Sequence, residues 1–129
     1  MIFTTLAMAA LALAAPSAQP ASANTDIALT PSSALTTGSI TYYQPGLGAC
    51  GKWNSKDDLI VAVSAPLFDR SRPCGRRIRV SYNGRSADVT VVDRCEGCAE
   101  NDLDLSPAAF KRAIGGLGLG RVNANWAWI

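Results

Sequence analysis

Histidine is absent from all 129 residues. That absence removes Ser-His-Asp and Cys-His catalysis, histidine-held metals and an imidazole pH switch together. Charge is scarce as well: 17% of residues are charged and the formal net charge is +2, so no polyanionic partner is demanded and nucleic acid is not expected. After the N-terminus no apolar run approaches the length of a membrane span. The length allows one domain with a modest core.

What is present begins with "MIFTTLAMAALALAAPSAQPASA". It holds no charged side chain. Its apolar run, Leu6 to Ala15, is short and is followed by Pro16 and Pro20, and Ala21-Ser22-Ala23 has the small-residue pattern of a cleavage site. Residues 1–23 therefore read as a secretory signal peptide rather than an anchor. The expected product is extracellular, with no membrane attachment after cleavage. Residues 24–37, rich in Thr, Ser, Ala and Pro, read as a flexible lead-in, and residues 38–129 as the folded domain.

Secretion bears on the cysteines. Four of them in a small exported domain predict two disulfides, with three possible pairings. A zinc site would want a second close pair besides Cys95 and Cys98, and none exists, so no metal or other cofactor is expected.

The strand signals are short. "GSITYYQ" is rich in β-branched and aromatic residues, and "LIVAVS" is continuously apolar, as in a strand buried on both faces. "RRIRVSY" alternates, with Ile78 and Val80 opposite Arg77 and Arg79. Asn83-Gly84 follows as a two-residue hairpin turn, and "SADVTVVD" is the returning strand. On strict alternation its Val89 and Val91 share a face that ends at Asp93. "APLFDRSRPCG" reads as a helical turn and then loop. Ser106-Pro107 is a helix start, with Phe110, Ala113 and Ile114 on one face and Gly115-Gly116 as the stop. "GRVNANWAW" alternates again, placing Val122, Ala124, Trp126 and Trp128 on one side, with Trp126 expected in the core. About five or six short strands and one helix predict an all-β domain, a small closed barrel.

The series "GSITYY", "GACG", "LIVAVSAPLFD", "CGRRIRVSYNGRSADVTVVDRC", "LDLSPAAF" and "LGRVNANW" resembles the double-psi β-barrel family: barwin, kiwellins, the first domain of expansins, rare lipoprotein A-like domains and single-domain fungal expansin-like proteins, the loosenins. The likeness spans Gly38 to Trp126. It implies a six-stranded double-psi β-barrel with one or two short helices, stabilised by disulfides. It also implies that Cys50 pairs with Cys74, leaving Cys95 to pair with Cys98.

Expansin-like barrels place two aspartates on a groove floor, and the resemblance assigns these roles to Asp93 in "VVDRC" and Asp104 in "LDLS", with Thr41 on the first strand. The aromatic that the family carries two positions after the first aspartate is Cys95 here, and the "HFD" of plant expansins is "DLD". Related barrel endoglucanases take a base carboxylate from the first strand, but no acid occurs between Asp26 and Asp57. Hydrolysis, which needs two carboxyl groups flanking the bond, is therefore not expected. The competing reading of both aspartates is structural, as caps of turns and of the helix start. Tyr42, Tyr43, Trp53 and Trp128 are the candidate aromatic platforms for sugar rings. Arg70, Arg72, Arg76, Arg77 and Arg79 form a cluster that is either a solvated face or a patch for acidic glycans or a partner protein.

Three functions follow as expectations. The first is a secreted monomer that binds and loosens cell-wall polysaccharide (cellulose, chitin or pectin-like) without hydrolysing it. The second is a protein-binding module, such as a cysteine-protease inhibitor or a secreted effector or defence protein. The third is a lytic glycan-cleaving enzyme using a single aspartate.

Overall fold

In the computed structural model, which describes residues 34–129, the β-branched and apolar runs become six strands. The expected signal peptide and the lead-in as far as residue 33 lie outside the described residues. The strands are β1 (Thr36–Tyr42), β2 (Ile60–Ser64), β3 (Arg77–Tyr82), β4 (Arg85–Cys95), β5 (Leu103–Leu105) and β6 (Val122–Trp128). Helices α1 (Ala65–Ser71) and α2 (Pro107–Ala113) and a 3-10 turn at Leu117–Leu119 complete the order.

The strands close in the order β1-β5-β2-β4-β3-β6. β1 runs parallel to β5 and β2 parallel to β4, while the other neighbours are antiparallel. Closure leaves no long unpaired edge in a small domain. The fold is the expected double-psi β-barrel. Its interior holds Ile40, Val61, Val63, Ile78, Val80, Val89, Val91, Leu103 and Leu105, each at most 1% exposed. Each such side chain contributes roughly 1.5–3 kcal/mol by leaving water. Trp126 joins this core, and its indole Nε1–H donates to the Asn101 carbonyl at 2.9 Å.

Local chemistry explains the ends of the elements. Ser106 caps α2 by accepting the Ala109 N–H at 3.1 Å, Pro107 opens the first turn, and Ala109, Phe110 and Ala113 turn inward. Ser64 does the same for α1, accepting from Leu67 N–H at 3.3 Å. With Leu67 and Phe68 buried, α1 is a full helix where only a turn was expected. Asn83 (φ 47°) and Gly84 (φ 78°) both take the left-handed region that a tight hairpin turn requires. Cys50 is joined to Cys74 and Cys95 to Cys98.

One expectation fails in a way that matters for the site. Strict alternation along β4 puts Asp93 on the inner face with Val89 and Val91. Instead the pairing of β2 with β4 steps from Val61↔Val91 to Ala62↔Asp93, leaving Val92 as an extra residue. This β-bulge shifts the phase of the strand by one residue and turns Asp93 onto the outer face.

Candidate functional site

Register builds the site. Thr41 stands opposite Asp104, Asp104 opposite Ala62, and Ala62 opposite Asp93. Residues directly opposite one another project from the same face. The four therefore form one row across β1, β5, β2 and β4 on the outside of the barrel. Strand spacing puts the two aspartate Cα atoms about 10 Å apart. Between them Ala62 offers only a methyl group and is 2% exposed. Both aspartates, Thr41 and Tyr43 are half-buried, so the row is neither sealed nor flat against solvent.

The two carboxylates are held differently. Asp93 Oδ1 accepts the backbone N–H of Ala49 and of Arg94, each at 2.8 Å, and Oδ2 accepts the Tyr43 hydroxyl at 3.2 Å. Asp104 Oδ1 accepts the Thr41 hydroxyl at 2.8 Å, and among the described residues no partner is found for Oδ2. Burial pushes the Asp104 carboxyl above its ordinary value, and the Asp93 charge adds to this. The Thr41 hydrogen bond and the Arg121 charge pull the other way. Arg121 is anchored at that end by donating to Ser39 Oγ at 2.7 Å. Tyr43 continues β1 by donating its N–H to the Leu105 carbonyl at 2.9 Å, and its phenol reaches Asp93. Burial, and then the charges of Asp93 and Asp104, raise that phenol far above its usual range, so it remains a protonated donor.

The segment from Gly46 to Asn54 is a small hairpin laid against the Asp93 end. Leu47 bridges Trp53, Gly48 N–H donates to the Lys52 carbonyl at 3.0 Å, and Asn54 N–H to the Gly46 carbonyl at 3.1 Å. Its tip is fixed by the Cys50–Cys74 disulfide and by the Cys50 N–H donating to the Val92 carbonyl, the bulge residue, at 3.1 Å. A Cβ on Gly48 would stand 2.4 Å from that same carbonyl oxygen, so only glycine permits the approach. The hairpin presents Leu47 and Trp53 to solvent, Trp53 at 77% exposure.

The other candidate aromatics are placed elsewhere. Tyr42 packs against Phe110, ring centres 5.0 Å apart, and donates its hydroxyl to the Leu117 carbonyl at 3.0 Å. With Tyr43 it lines a cleft of about 380 Å³ shared with Lys56, Pro107 and Lys111. Trp128 is not brought to the row: it sits on β6 opposite Ile78, edge-on to Trp126, with the Arg76 guanidinium 4.0 Å above its ring. A larger concavity, about 710 Å³, also lies away from the row, at the Asn83-Gly84 turn, where Thr37, Ser81, Asn123 and Asn125 line it. The arginine cluster is dispersed, Arg70 pairing with Glu100, Arg79 with Asp88, and Arg76 covering Trp128. Among the described residues no group of three or more Cys, Asp or Glu side chains could hold a metal.

Sequence reasoning missed Tyr43 as the partner of Asp93, Arg121 as the flanking charge, and Ala62 as the spacer. Only the last had a signal, an alanine in the middle of the apolar "IVAVS".

The fold is that of a double-psi β-barrel, and the chain belongs to that family: the family model described as lytic transglycolase matches residues 35–125. Among individual proteins, the papain inhibitor of Streptomyces mobaraensis is 37% identical over 102 residues, 72% of this chain and 71% of that protein. An allergen homolog of Arthroderma benhamiae is 37% identical over 83 residues, and there the chain spans only 29% of the relative's length. The solved structure of the Streptomyces papain inhibitor superposes with a TM-score of 0.67 at 35% identity, covering 77% of this chain and 97% of that one. A mutant expansin of Clavibacter michiganensis, in complex with cellohexaose, superposes with a TM-score of 0.67 at 28% identity, covering 74% and 50%.

Proposed function

We propose that the Thr41–Asp104–Ala62–Asp93 row is the floor of a groove that binds extended cell-wall polysaccharide without hydrolysing it, and that the protein works outside the cell once residues 1–23 are removed. The observation that carries this reading is the unequal commitment of the two acids. Three hydrogen bonds on Asp93 use both of its oxygens to hold the hairpin and Tyr43. It is therefore poorly placed to serve as base or nucleophile. Asp104 keeps an oxygen for a sugar hydroxyl, with Thr41 and Arg121 beside it. Hydrolysis by a flanking pair of carboxyl groups thus lacks its second member. The exposed Trp53 ring supplies a stacking face on the hairpin that Asp93 anchors. The cellohexaose complex of the Clavibacter expansin supports the ligand class.

The test is co-sedimentation of the mature protein with insoluble cellulose, chitin and peptidoglycan, with mass spectrometry of the supernatant. Binding that weakens in Asp104→Asn and Trp53→Ala, with no released sugars, is the expected result. Retention in the supernatant with every polymer overturns the reading. Anhydro-sugar products abolished by Asp104→Asn would move the protein to lytic cleavage, in which the burial-raised carboxyl of Asp104 donates its proton to the leaving oxygen.

A second reading is favoured by a different observation. The papain inhibitor is matched over 97% of its resolved chain. A rigid hairpin displaying Leu47 and Trp53 has the form of a preorganised protein-binding anchor. Inhibition of papain by the wild-type chain, lost in Trp53→Ala and retained in Asp104→Asn, would select this reading.

A further inference from the structure

A separate basin of about 400 Å³ lies on β3, β4 and α2, lined by Leu59, Arg77, Arg79, Ser86, Asp88 and Arg112. Arg77 and Arg79 project from the outer face of β3, opposite Thr90 and Asp88 of β4, and all three arginines are exposed. Arg79 is spent: its Nε and Nη2 donate to the two oxygens of Asp88 at 2.7 and 3.0 Å. That fork-to-fork pair fixes the floor. Arg77 and Arg112 have no acidic partner among the described residues. Three guanidiniums thus face one carboxylate, an excess equal to the formal net charge of the whole chain.

We propose that this basin binds the carboxylates of a uronic acid-bearing polysaccharide through Arg77 and Arg112. A guanidinium presents a planar fork that matches a carboxylate through two parallel hydrogen bonds. Two such forks on different elements suit single charges spaced along a chain. A compact, multiply charged anion such as phosphate would be repelled by Asp88 in the floor. The Leu59 side chain gives the apolar face of a sugar ring something to cover. The basin lies before the Val92 bulge on β4 and the aspartate row after it, so the basin stands or falls without the groove reading.

The test measures equilibrium binding of the mature chain to polygalacturonate and to fully methyl-esterified pectin. The Arg77→Gln/Arg112→Gln double variant is compared with a charge-matched control, Lys52→Gln/Arg72→Gln, which touches exposed cations outside the basin. At low salt the basin variant is expected to bind polygalacturonate about 100-fold more weakly, roughly tenfold per arginine. The control stays within about threefold, and added salt erodes the wild-type affinity. Esterified pectin, which lacks free carboxylates, should escape the basin. Equal losses in both double variants, no loss in the basin variant, no wild-type binding, or displacement by inorganic phosphate at low concentration would overturn the proposal. Unchanged thermal melts would show that the exposed substitutions leave the fold intact.

Discussion

Asp93 and Asp104 flank the same alanine in one register row, yet the chain around them is built to opposite ends. The Asp93 end is a junction. A bulge, a disulfide-tied hairpin and a phenol all converge on its carboxylate, whose oxygens are spent on the protein itself. The Asp104 end is sparse, with one threonine hydroxyl, a nearby guanidinium and an oxygen that has no partner among the described residues. Identical side chains therefore divide the work. One fixes the geometry of the wall, and the other, its charge partly buried, is held by a single side-chain hydrogen bond.

Four variants sharpen or break that division. The largest effect is expected from Cys50→Ser/Cys74→Ser, which releases a closure between residues 24 apart in sequence. It should cost about 3 kcal/mol in the chain-entropy account and lower the melting temperature by more than about 10 °C. Cys95→Ser/Cys98→Ser, opening a much shorter ring, should cost less. Equal losses would show that the hairpin is not what the longer closure stabilises. Next, Asp93→Ala strands the Ala49 and Arg94 N–H groups and the Tyr43 hydroxyl, and should cost about 2 kcal/mol in denaturant melts, tempered by partial access to water. A neutral result would remove the bracing role.

The smallest effect has the opposite sign. Asp104→Asn keeps an oxygen to accept from Thr41 and removes a charge that burial disfavours. Because the folded carboxyl titrates above 3.8, its favourable contribution is complete below that value and is lost as pH rises through the folded value. The variant should therefore be the more stable protein at neutral pH, with the gap closing below pH 3.8. Melts in which the gap is flat with pH would show that Asp104 carries no burial penalty.

Much of the barrel could be read in advance. Two-residue periodicity located β3, most of β4 and β6, while Asn83-Gly84 and Ser106-Pro107 marked a turn and a helix start by their backbone demands. β5 escaped because Leu103–Leu105 is three residues long, too short for any periodicity to emerge. α1 was underestimated because its cap, Ser64, closes an apolar strand run rather than standing in a polar loop. Within the site, the Thr41–Asp104 contact joins residues 63 apart in sequence and the Tyr43–Asp93 contact residues 50 apart. The bulge is a tertiary accommodation: the Cys50 N–H claims the Val92 carbonyl, and no local pattern in "VTVVD" announces it.

Val92 acts on its strand as a frameshift acts on a message, since every residue beyond it is displayed on the opposite side. Straightening the strand while keeping that valine would bring an acid into the oily interior and erase half of the exterior polar line, whereas deleting it outright would leave both aspartates on that line. Such a surface can therefore be lost or gained by a change in strand path alone, invisible to any inventory of which acids are present.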